Sequence, residues 1–145
     1  MKRILPFCLL LLACNPYRAL RHSEADFATA KGPSLDYKVP KGWKHVRAET
    51  DSAGHSVRVY EYGGGTVFYV AYAPGGGTVQ PIPRDRHVPK MLPTADTSFK
   101  EQSDGTTRLW REDVKGILRA GYINVAEGKP EALFDSAVNS VRIIR

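Results

Sequence analysis

Five prolines fall within residues 73–97: Pro74, Pro81, Pro83, Pro89 and Pro93. Each fixes φ, removes a backbone donor and pushes the preceding residue away from helical geometry. Gly75-Gly76-Gly77 adds freedom in the same stretch. No helix can run through this segment, and a long central strand is not expected there. The chain must therefore build its core from the two stretches on either side. Irregular segments of this length are often functional. Arg84, Arg86, His87 and Lys90 make its middle basic and mark it as a candidate binding loop.

Before the proline segment the sequence reads as strands. Leu35-Asp36-Tyr37-Lys38-Val39 alternates apolar and polar residues, and Pro40-Lys41-Gly42 turns the chain. Residues 43–49 form a second strand, Asp51-Ser52-Ala53-Gly54 a turn, and residues 56–62 the return. Gly63-Gly64-Gly65 reverses the chain into residues 66–72. After the proline segment, residues 98–102 and 106–113 flank Ser103-Asp104-Gly105. Asp-Gly is a strong hairpin signal because a type I′ turn needs positive φ twice. That turn places Glu101 opposite Arg108 and Phe99 opposite Trp110, both favourable pairs. Val114-Lys115-Gly116 leads into a strand over 117–125. Pro130 suits a first helical position. Leu133, Phe134, Ala137, Val138 and Val141 recur at helical spacing, and Arg142-Ile143-Ile144 reads as a short final strand. The expected fold is α+β: a mainly antiparallel sheet of about seven or eight strands with one C-terminal helix packed on it.

The alternation of the first meander puts Val46, Ala48, Val57, Val59, Val67, Tyr69 and Ala71 on one face. Trp43, His45, Tyr60, Tyr62, Phe68, Val70 and Tyr72 fall on the other. Both faces are largely apolar or aromatic, so both are expected to be at least partly covered. Pairing about Ser52 and Ala53 sets Arg47 opposite Arg58, which is unfavourable. Trp43, Tyr60, Tyr62 and Tyr72 share one predicted face near Arg58. Flat rings with a few polar groups suit a glycan or peptide platform. Covered by the C-terminal helix, the same rings are core.

The N-terminal region has a different character. Lys2 and Arg3 precede an apolar run over residues 4–13, interrupted by Pro6. That is the charged start and apolar stretch of an export signal. It is shorter than the roughly 20 apolar residues a bilayer span needs. It ends in Leu11-Leu12-Ala13-Cys14, which resembles the lipobox of bacterial lipoproteins. The resemblance implies that the Cys14 sulfur receives a diacylglyceryl group and that a signal peptidase cuts before it. Domain organisation follows: residues 1–13 as signal peptide, 14–33 as lipidated cysteine and flexible tether, 34–145 as a single domain. Within the tether, residues 23–30 can form a short helix capped by Ser23. Asn15 stands where the resemblance associates Asp with inner-membrane retention, which points to the outer membrane of the cell envelope. Two chains on one sulfur anchor a protein stably.

Few chemistries find support in the remaining residues. Cys8 leaves with the signal and Cys14 carries lipid, so thiol catalysis and cysteine–metal sites are excluded from the domain. His22, His45, His55 and His87 form no ligand pair at metal-binding spacing. No Gly-x-Ser-x-Gly elbow occurs, and Gly65-Thr66 lacks the lysine of a phosphate loop. No cofactor or metal is expected. Glu49, Glu61, Glu101, Glu112 and Asp113 offer carboxylates for hydrolysis, but they alternate with bases on predicted strands. Loss of Lys2 and Arg3 lowers the net charge from +6 to +4. No nucleic-acid motif accompanies that charge, and an exported chain meets anionic lipid or glycan instead.

Tyr37-Lys38-Val39-Pro40-Lys41-Gly42-Trp43 opens the domain, and a run from Ala132 to Ile143 closes it. These ends resemble the start and finish of PsbP/Mog1-like domains, which begin with a strand into Pro-x-Gly-Trp and close with a helix into a strand. Members of that group differ in role, so the resemblance implies fold and no site. The function expected is a membrane-anchored envelope lipoprotein, a non-enzymatic module binding an envelope protein or glycan. A small envelope hydrolase and a structural subunit of an envelope complex are the alternatives.

Overall fold

A computed structural model describes residues 20–26, 34–50, 52, 54–72, 98–103 and 108–144. The expected signal peptide, Cys14, and the basic residues Arg84, Arg86, His87 and Lys90 lie outside the described residues. The described chain is α+β, dominated by antiparallel sheet with a single helix, as the residue pattern predicts. Its strands are β1 (Leu20–Asp26), β2 (Ser34–Pro40), β3 (His45–Thr50), β4 (Ser56–Glu61), β5 (Val67–Tyr72), β6 (Ser98–Ser103), β7 (Arg108–Lys115), β8 (Leu118–Ala126) and β9 (Arg142–Ile144). Helix α1 (Lys129–Asn139) precedes β9. The strands divide between two sheets, β1-β2-β9 and β3-β4-β5-β8-β7-β6.

The core lies between the two sheets. Leu20, Leu35, Tyr37 and Val39 face Tyr60, Phe68, Val70, Ala120 and Tyr122, and Phe134, Ala137 and Val138 of α1 complete the layer. Helix α1 starts where the pattern demands, with Pro130 in its first turn and the Glu131 side chain accepting from the Gly128 amide. Ser140 ends it and ties it to β2, accepting from the Lys38 amide at 2.8 Å. On the opposite face of the large sheet Val57, Val59, Tyr69 and Ala71 form a second buried cluster.

Four expectations are corrected. Residues 20–26 are not tether, and Ser23 does not open a helix: β1 pairs along its whole length with β2, from Leu20 opposite Pro40 to Asp26 opposite Ser34. Ser23 lies opposite Tyr37, so pairing with a distant strand overrides the local capping signal. The β3–β4 register differs by one residue. Ala48, not Arg47, stands opposite Arg58, and Arg47 faces Val59. That slip carries Val46 and Ala48 to the Tyr60 side of the sheet and His45 to the other, since side chains alternate with period 2. Arg47 thereby reaches Glu61 through Nε at 2.7 Å and also bonds Glu49, so the like-charge clash is avoided. Finally, β6 and β7 pair two residues out from the Asp-Gly expectation: Glu101 faces Trp110 and Phe99 faces Glu112. The connection spans 104–107, twice the length of a two-residue turn.

Candidate functional site

The aromatic face is core, not platform. Tyr60 is buried, its hydroxyl 2.8 Å from that of Tyr37. Trp43 packs edge-on against Tyr60 with ring centroids 5.6 Å apart. Tyr62 sets its ring against Phe134 of α1 and donates from its hydroxyl to the Pro40 carbonyl at 2.7 Å. Burial, with Tyr60 close by, pushes the Tyr62 phenol well above its ordinary pKa. Tyr72 is half-buried against the same core, and Arg58 is half-buried opposite Ala48 and Val70. A glycan therefore has no stack of open rings here. The reason is tertiary: β2 and α1 lie over this face.

Of the carboxylates that could serve hydrolysis, Glu49, Glu61, Glu112 and Asp113 are engaged in ion pairs, and the Glu101 side chain lies outside the described residues. Glu49 and Glu61 bind Arg47. Glu112 is buried on the outer face of the large sheet, where Arg119 Nη1 donates to Oε1 at 2.7 Å and the Tyr69 hydroxyl to Oε2 at 2.6 Å. Burial, reinforced by Glu112, raises the Tyr69 phenol well above its usual pKa. On the inner face Arg111 grips Asp113 through Nε and Nη2 at 2.8 and 2.7 Å. It also reaches Asp135 and Asn139 of α1, both at 2.8 Å. Burial works against the Arg111 charge, but the hydrogen bonds to Asp113 and Asp135 outweigh it and hold its pKa above the ordinary value. Tyr122 donates to the same Asp135 oxygen at 2.9 Å, and burial with that bond raises its pKa. These networks join strands to each other and to the helix. Among the described residues no group of three His, Cys, Asp or Glu is placed to hold a metal.

Among the described residues, exposed apolar side chains collect at one end of the domain. The β7–β8 hairpin closes with Lys115 opposite Leu118, and Leu118 pairs with Tyr72 at the same end of the sheet. Gly116 supplies the positive φ of +58° that the two-residue reversal needs. Lys115, Leu118 and Ala120 line a shallow depression together with Asp113, Val138 and Val141. Its volume is about 200 Å³ including the open mouth, smaller than the roughly 300–1,000 Å³ of a ligand cleft. Ile117 belongs to the turn that lines it, and Ile143 and Ile144 follow two and three residues after Val141. These three are exposed at 39, 46 and 40 %. Val46 on the edge strand β3 is the other large apolar residue exposed among the described residues.

The sequence reading missed this surface. Its signal was present, since an isoleucine directly after the turn glycine has no strand neighbour to cover it. No protein-family model, curated protein or solved structure matches the chain.

Proposed function

We propose that this chain is a lipid-anchored lipoprotein of the bacterial envelope, held through Cys14 in the outer membrane, whose domain is a non-catalytic module for a protein partner. The observation that carries the reading is the apolar end at Ile117, Ile143 and Ile144. Exposed apolar residues at one end of a domain are what a protein partner covers. Two further features support it. Tyr60 and Tyr62, which would have served a glycan, pack into the core and against α1, and Glu49, Glu61, Glu112 and Asp113, which would have served hydrolysis, are in ion pairs with arginines. The occupant is an apolar segment of another envelope protein.

The test places a photo-crosslinking residue at position 143 or 117 of the lipidated chain in native envelopes. One discrete crosslinked protein is expected from both positions, and Ile117→Asp abolishes it without moving the unfolding midpoint. Crosslinks absent from both positions, or unaffected by Ile117→Asp, overturn the partner reading. Intact-mass measurement of an unmodified Cys14 overturns the anchor.

A further inference from the structure

The end of the domain opposite the isoleucines has its own chemistry. Leu20 begins β1 and stands opposite Pro40, which leads into Lys41-Gly42-Trp43-Lys44. Arg21 lies over the Trp43 ring, its guanidinium carbon 5.7 Å from the centroid. Arg21, Lys41 and Lys44 are exposed, while Trp43 is half-buried. Lys44 hydrogen-bonds through its backbone amide to Glu61 and sends its side chain toward Gly63. Three exposed cations and one half-buried indole thus lie at a single end of the molecule, with Arg21 stacked on the ring. One nearby carboxylate is neutralised and another is engaged with backbone. Glu61 is held by Arg47, and Glu131 accepts from the Gly128 amide.

Chain length adds a constraint that the cluster alone does not. Only six steps of backbone separate Cys14 from Leu20, a reach of at most about 22 Å even fully extended. A tether that short restricts how far the domain can turn over. Whatever surface holds Cys14 must lie within that reach of the end of β1 where Leu20 and Pro40 pair.

We infer that Arg21, Lys41 and Lys44, with Trp43 between them, form a docking surface for the anionic phospholipid headgroups of the leaflet that holds Cys14. This orientation rests on the lipid anchor proposed above. Lysine and arginine at this distance meet the negative potential of the leaflet, and a half-exposed tryptophan suits the headgroup zone. The consequence is directional: the domain stands with the basic end down and presents Ile117, Ile143 and Ile144 away from the membrane.

The experiment sets the lipidated full chain in nanodiscs of phosphatidylglycerol or of phosphatidylcholine. Amine acylation is then read lysine by lysine by mass spectrometry. Lys41 and Lys44 are expected to be labelled about fivefold more slowly on phosphatidylglycerol, each cation adding roughly that factor near an anionic surface. The protection disappears at about 0.5 M salt, where screening acts over a few ångströms. Lys115, at the isoleucine end, is labelled equally on both lipids. Equal labelling of Lys41 and Lys44 on the two lipids, or protection of Lys115, overturns the orientation while leaving the anchor intact. A chain that lacks the diacylglyceryl mass overturns the anchor, and the orientation with it.

Discussion

Gly121 is the residue over which Tyr69 lies. A Cβ built at position 121 falls 2.6 Å from the Tyr69 hydroxyl oxygen and 2.7 Å from its ring carbon Cζ, and it meets the Arg111 carbonyl oxygen as well. Strand β8 therefore needs glycine here for space. Gly121→Ala should destabilise the domain by about 1–3 kcal/mol through overpacking. The midpoint of a denaturant titration measures this, and an unchanged midpoint would mean that Tyr69 has another place to go.

Tyr69 reaches across Gly121 to Glu112, and Arg119 meets the same carboxylate. Removing one member of a buried ion pair strands the other. Glu112→Gln and Arg119→Met are each expected to cost about 3–5 kcal/mol, with the double variant costing clearly less than their sum. Additive losses in the double-mutant cycle would show that the two groups do not interact.

The raised pKa values of Tyr62, Tyr69 and Tyr122 set an alkaline limit. Burial is the first cause in all three, and the ordinary phenolic value is 10.0. Above that pH the unfolded chain releases these protons and the folded chain keeps them. Their contribution to stability is complete below pH 10 and is lost as pH rises toward the folded values. The unfolding midpoint should fall between about pH 10 and 12, and tyrosinate absorbance should appear together with unfolding. Tyr69→Phe should flatten that decline. Free titration of these tyrosines near pH 10 in a folded chain would contradict it.

Arg111 joins β7 to both Asp135 and Asn139 of α1. Arg111→Met should cost about 3–5 kcal/mol, because Asp113 is left buried without its cation. Lysine should not restore the loss, since it cannot grip Asp113 by two nitrogens while reaching the helix. Hydrogen exchange over 129–139 should accelerate in both variants. Exchange that accelerates only elsewhere would separate the helix from this network.

Tyr62 distinguishes core from platform. Tyr62→Ala is expected to cost about 3–5 kcal/mol. Tyr62→Phe should cost only about 1 kcal/mol, for the lost bond to Pro40. A Tyr62→Ala chain as stable as the parent would return the ring to the surface.

Much of this domain was legible in its residues. Alternation marked β2, β4 and β5, Pro130 and the apolar spacing marked α1, and Gly63–Gly65 and Gly116 marked reversals. These signals are local, and each depends on a few neighbouring residues. The register of β3 was not legible, because the turn after Thr50 is one residue longer than Asp51-Ser52-Ala53-Gly54 suggested, and a single step moves every side chain across the sheet. Nor was β1, since Ser23 carries a capping signal and only pairing with β2 decides against it.

The sequence by itself determined the kinds of element, their order, and that both faces of the first meander would be at least partly covered. It determined these because periodicity and turn chemistry act over a few residues. Tertiary structure alone decided which aromatic rings became core, which carboxylates met arginines, and that Ile117 came to the same end as Ile143 and Ile144. Those outcomes depend on which surfaces meet across long separations in the chain, and burial changes the energy of a ring or a charge only after they have met.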